Sequence, residues 1–173
     1  MELVPWSYVN SWSCDCCGYC CKGSTVVLRF SEWLNLINTY GVGATRTDLN
    51  KFYMGKKSDG SCLFLYWSNG KWLCGLQKTK PLACKLWPFR VLSTPRYGHP
   101  NEAHFNHRGR DVFVYVDPNC HKITWGYPSS EMVNLIIPEF VEIATGSREN
   151  QIYSTSKTLS DFLVSGGPKY RII

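Results

Sequence analysis

The sequence predicts a small α+β domain built from short strands and helices, and three observations predict it. Helical spacing of apolar residues occurs in separate short stretches, one starting near residue 31, one over 48–54 and others beyond residue 131. The run 62–74 is split by Asn69-Gly70, the strongest short hairpin signal because both turn residues must accept positive φ. Five cysteines crowd into residues 14–21, a density that suits a loop gathering thiols rather than a regular element. The chain has 173 residues, 44% of them hydrophobic, with seven Trp, ten Tyr and eight Phe, enough to bury a core as one domain without covalent help.

Taken in order, Thr25-Val26-Val27-Leu28 after the cysteine run reads as a short buried strand. Ser31 is placed to cap a helix in which Trp33, Leu36, Ile37 and Tyr40 share a face, and Gly41 and Gly43 end it. The spacing of Leu49, Phe52 and Tyr53 predicts a second short helix over 48–54, followed by a polar loop to 61. Residues 62–67 and 71–74 form the hairpin, which brings Cys62 and Cys74 together across its open end. Lys85–Leu92 is broken by Pro88 and reads as an edge segment at most. Residues 93–110 read as a polar loop carrying His and Arg, and Val112–Val116 as a strand ending at Asp117-Pro118. Met132, Leu135 and Ile136 resume helical spacing, with Pro138 restarting the segment that carries Phe140 and Ile143. Leu159, Phe162 and Leu163 predict a last helix before Gly166-Gly167-Pro168. Residues 1–126 are expected to form a cysteine-cluster metal-binding domain and 127–173 a helical extension packed on it.

No stretch approaches the length of a membrane-spanning helix, so no membrane partner is expected. The first residues lack the basic and apolar regions of a signal peptide, which makes the reducing cytoplasm the expected compartment. The net charge of +6 is segregated. Residues 51–110 hold eleven basic side chains (among them Lys51, Lys56, Lys57, Lys80, Arg96, Arg108 and Arg110) against Asp59 and Glu102 only, and 111–149 reverse the balance. Such a block suggests a polyanionic partner or, alternatively, a counter-charge to thiolate-bound metal.

Cys14, Cys17, Cys20 and Cys21 form C-x-x-C-x-x-C-C, with Cys16 as an extra member. Two-residue spacers let a turn point successive thiolates at one metal. Disulfides are a poor alternative, because five thiols within eight residues cannot readily reach bridging geometry with one another. Adding Cys62, Cys74, Cys84 and Cys120 gives eight expected metal ligands, enough for two four-coordinate sites, with Cys16 spare. Adjacent Cys20 and Cys21 project differently and are suited to different metals; the partition between sites stays open.

The chain resembles the CxxCxxCC, or YkgJ-type, cysteine-cluster family of zinc- or iron-chelating domains. The resemblance rests on Cys14-x-x-Cys17-Gly18-x-Cys20-Cys21, on Cys74, Lys80, Pro81, Cys84, Trp87, Pro88 and Phe89, and on Asp117-Pro118-Asn119-Cys120. It departs at Lys80, where the family usually has Arg, and at His121-Lys122, which replace Pro-Gly. The family includes flagellin lysine-N-methylases that use a [4Fe–4S] cluster, so the resemblance implies one or two such clusters, with zinc as the alternative. It does not fix a reaction.

Among the histidines, His99, His104 and His107 lie in the basic loop, and His121, beside Cys120, is the best placed to join a metal. No Gly-x-Gly-x-x-Gly opens a helix after a strand, so an S-adenosylmethionine-dependent lysine methyltransferase component is the secondary expectation, together with a redox iron–sulfur protein. The primary expectation is a mainly structural metal beneath a basic surface that binds RNA or a ribonucleoprotein such as the ribosome. Aromatics among the charges (Tyr66, Trp67, Trp72, Trp87, Tyr97, Phe105) would stack on bases, and no DNA-reading motif is present.

Overall fold

The computed structural model describes residues 2–153, and these form an α+β fold. The chain opens with β1 (Val4–Pro5) and, after a single helical turn, β2 (Val9–Trp12). The cysteine loop ends in the five-residue α1 (Tyr19–Gly23). Next come β3 (Val27–Leu28) and α2 (Phe30–Tyr40). Helix α2 starts one residue before the expected Ser31 cap, because the Glu32 carboxylate reaches back to accept the Arg29 backbone N–H at 2.8 Å.

The helix expected over 48–54 is instead a hairpin, β4 (Thr45–Asp48) and β5 (Lys51–Met54). Leu49 takes positive φ in its two-residue turn and is fully exposed, while Phe52 stacks on Trp33 at 4.5 Å. Strand β5 pairs on its other side with β3, so tertiary pairing overrides a short helical spacing. The Asn69-Gly70 hairpin forms from β6 (Leu65–Ser68) and β7 (Lys71–Cys74), with both turn residues at positive φ. Its first strand starts at Leu65 rather than Cys62, so Cys74 pairs with Leu65 and Cys62 instead bridges Lys56.

Helix α3 (Leu82–Leu86) and β8 (Phe89–Leu92) lie on either side of Pro88, and β8 takes an edge of its sheet. The stretch 93–110 is not all loop: it holds α4 (Pro100–Ala103) and β9 (His104–His107). Strand β9 turns through Arg108-Gly109, both at positive φ, into β10 (Arg110–Val116). An Arg-Gly pair is a weaker turn signal than Asn-Gly, which is why the hairpin is hard to read. Strand β10 carries β1 and β9 along one side and β8 on the other, and β11 (Ile123–Trp125) pairs with β2. A wide π-turn at Met132–Ile136 then passes into α5 (Ile137–Thr145), with Pro138 in the first helical turn where its missing N–H costs nothing. The helix expected around Leu159–Leu163 lies outside the described residues. Among the described residues no helix is long and apolar enough to cross a membrane.

Three apolar clusters result: a minor one of Leu3, Ala103 and Tyr115, and two that border the cysteines. The larger packs Trp6, Val9, Trp12, Phe89, Val112, Val114, Val116, Met132, Ile136 and Phe140, with Cys14 and Cys120 at its edge. The smaller packs Leu28, Leu36, Met54 and Leu76, with Cys62 and Cys74 at its edge. Glu139, fully buried in α5, fastens the returning chain to the larger core. Its carboxylate accepts the backbone N–H groups of Ile152 and Tyr153 at 2.9–3.0 Å and pairs with Arg148 at 3.4 Å. Glu139→Ala strands these donors in an apolar setting and should cost about 2–4 kcal/mol. Chemical denaturation checks this, and an unchanged midpoint would show that residues 148–153 are held by other contacts.

Candidate metal centre

The cysteine loop is set by backbone contacts with the Asn69-Gly70 hairpin. The Cys16 carbonyl accepts the Trp72 N–H at 2.9 Å, the Cys21 carbonyl accepts the Cys62 N–H at 2.8 Å, and the Lys71 ammonium donates to the Asp15 carbonyl at 3.2 Å. Gly18 is required twice over at the start of α1. Its φ is +77°, and a Cβ there would lie 2.8 Å from Trp72 Cβ and Cγ. Helix α3, which carries Cys84, is fixed from the opposite side. The second oxygen of Glu32 accepts the Leu82 N–H at 2.7 Å, so one carboxylate ties the starts of α2 and α3.

These contacts bring all nine cysteines to the wall of one open cavity of about 610 Å³. None is in a disulfide, and Cys20 and Cys21 approach only to 3.9 Å between sulfurs. The thiols sort into two groups that meet at Cys20. Negative charge on Cys62 or Cys74 would push up the Cys21 and Cys84 thiols, and charge on Cys20 would do the same to Cys21, Cys62, Cys84 and Cys120. Cys16, expected to be spare, is buried with its thiol hydrogen-bonded to Cys14. Cys17, on the same cavity wall, also has two other donors beside it: its sulfur, an Asp15 carboxylate oxygen and a His121 ring nitrogen lie within 4.8 Å of one another.

The electrostatics are those of thiols kept from water. Burial raises the pKa of Cys84, Cys62, Cys120 and Cys17, and Cys21 is raised by its bond to Cys20 and then by burial. Cys14 goes the other way, to about 6, chiefly through the hydrogen bond with Cys16, with Lys80 assisting. Lys80 is itself buried, and its ammonium favours thiolate at Cys14, Cys20 and Cys84. Two N–H groups also point at sulfur: Trp12 Nε1 to Cys120 at 3.3 Å and the Leu76 backbone to Cys74 at 3.4 Å. A soft, anionic, cation-balanced donor set of this kind fits zinc or iron and does not suit hard cations.

The other histidines have different roles. His104 pairs with Asp111 at 2.8 Å, His107 with Glu142 at 3.1 Å, and the His99 ring meets the Tyr8 ring. Sequence reasoning did not find Asp15 as a donor beside His121. Its signal was its place inside the cysteine motif.

Gly18→Ala should destabilise the protein by about 2–4 kcal/mol, from left-handed backbone strain and displacement of Trp72. Thermal unfolding and metal content should fall together. An unchanged melting temperature would mean that the motif does not need its close approach to the hairpin.

No curated protein and no solved structure shows significant similarity to the chain. One family does match, across residues 13–121 and so across all nine cysteines: CxxCxxCC, described as "Putative zinc- or iron-chelating domain". With the matched span covering well over half its length and containing the thiol-lined cavity, the chain belongs to the CxxCxxCC family.

Proposed function

We propose that this chain is an iron–sulfur protein in which the cluster chiefly organises the fold. The observation that carries the reading is the spacing of the thiols. A single zinc would hold its thiolates ~3.8 Å apart, the edge of a tetrahedron with ~2.3 Å Zn–S bonds. Among the described residues no three thiols lie within 4.8 Å of one another, yet all nine line a common cavity. A polynuclear cluster spreads its thiolates, because each binds a different iron. Cys21, Cys62, Cys74 and Cys84 are the quartet best arranged for it, since they come from α1, the segment before β6, the end of β7 and α3. Cys14, Cys20 and Cys120 face the same cavity from the side of the larger core. A cluster held there would supply iron–thiolate bonds between segments far apart in sequence, and its ligation energy would be folding energy.

Protein purified without oxygen should be brown, with a broad band near ~400 nm and stoichiometric iron and sulfide. Cys84→Ser should lose iron and cooperative unfolding together. Colourless protein with zinc in the thiol cavity would overturn the reading.

An RNA-binding surface is a second reading, favoured by Tyr66 and Trp67, which are 46% and 57% exposed on the Asn69-Gly70 hairpin. Lys51, Lys57, Arg96 and Arg110 are also on the surface, whereas Lys80 serves the thiols and Arg108 pairs with Glu142 at 3.2 Å. If Arg96 and Arg110 meet phosphates, replacing both with Ala should flatten the log–log salt dependence of RNA binding by about one to two units. Iron content should not change. An unaltered slope would count against this surface.

A further inference from the structure

The geometry points to a second metal site, at the rim of the thiol cavity that Asp15 and Cys17 also line, in which Asp15, Cys17 and His121 hold one divalent transition-metal ion of the zinc class. These residues bring together a thiol, an imidazole and a carboxylate within 4.8 Å. Those are the three donor types zinc takes, and three protein ligands with one open position is the pattern of exchangeable rather than closed zinc sites. This goes beyond the iron–sulfur reading and does not depend on it, because Asp15 and His121 are hard or borderline donors foreign to a cysteine-ligated cluster.

Four independent features prepare the site. Asp15 Oδ1 accepts the Cys17 backbone N–H at 3.2 Å, which fixes the carboxylate beside the thiol. The Tyr19 ring meets the His121 ring edge-on, with centroids 5.8 Å apart, and sets the imidazole plane. His121 is exposed and lies on a small polar hollow with Ser11, Ser13, Thr124 and Glu131, which leaves the fourth position facing water. A cation is also already held there. The Lys122 ammonium lies 3.0 Å from Asp15 Oδ2. Lys122 therefore occupies the carboxylate as a counter-ion that an entering metal displaces.

The test uses full-length protein with its cavity metal installed, dialysed against zinc, with iron and zinc counted separately. Wild type should bind one zinc more than His121→Ala, at an exposed residue, and Asp15→Asn, which keeps the side chain's size and its oxygen toward Cys17, while iron content stays equal in all three. The zinc-edge X-ray absorption of that additional ion should show one sulfur at ~2.3 Å and nitrogen or oxygen at ~2.0 Å. Cys17→Ser should lose the same zinc and keep its iron. Lys122→Ala should bind zinc on the order of two- to fivefold more tightly, the amount a surface ion pair with Asp15 opposes. Equal zinc in wild type and His121→Ala overturns the proposal, as does an all-sulfur shell or loss of iron in Cys17→Ser. If the cavity itself takes zinc, the iron–sulfur reading fails alone, because the His121-dependent equivalent with a mixed shell would still be seen.

Discussion

Burying many thiols along the seam between two small hydrophobic cores is the constraint on which the rest of this structure depends. One core contributes Cys14 and Cys120 at its edge and the other Cys62 and Cys74, so the two apolar clusters face each other across sulfur. The smaller core has only four fully buried residues, too few to hold three short strands and a helix in place by area burial alone. A sulfur-bound metal would replace the missing apolar contact with bonds that reach both sides.

Gathering such thiols raises an electrostatic problem, and the surrounding residues answer it. Burial opposes the thiolate at Cys84, Cys62 and Cys120, while a metal requires it. Lys80 supplies a buried positive charge to three of the sulfurs, and N–H groups of Trp12 and Leu76 donate to two others. Part of the basic excess in residues 51–110 is therefore internal counter-charge. Glu32 contributes differently, holding the first turns of α2 and α3 in one carboxylate so that Cys84 enters the cavity at a fixed height.

The cysteine motif, the Asn69-Gly70 hairpin, α2 and the strand at 112–116 could be read directly because each has a local cause. Spacing, turn stereochemistry or a clean apolar stripe settles each one. The hairpin at 45–54 could not, since three apolar residues at near-helical spacing say nothing of the β3 edge and the Trp33 ring that capture Phe52. The β9–β10 turn through Arg108-Gly109 was hidden for a similar reason: its partner strand supplies the preference that its residues lack. At the site, spacing named the thiols but could not orient them. Cys16, at positive φ with its carbonyl held by the Trp72 N–H, has its thiol on Cys14, while Cys17 lies beside Asp15 and His121, and neither placement can be read from the motif's spacing.

If metal ligation closes the seam, its removal should affect the two cores unequally. Hydrogen exchange of the protein before and after chelation measures this most directly. The account predicts that amides of β4 to β7 around the smaller core lose protection on metal removal, while those of β8, β10 and α5 in the larger core keep most of theirs. Identical protection in both states would contradict it, because the smaller core would then stand without the bonds proposed to hold it.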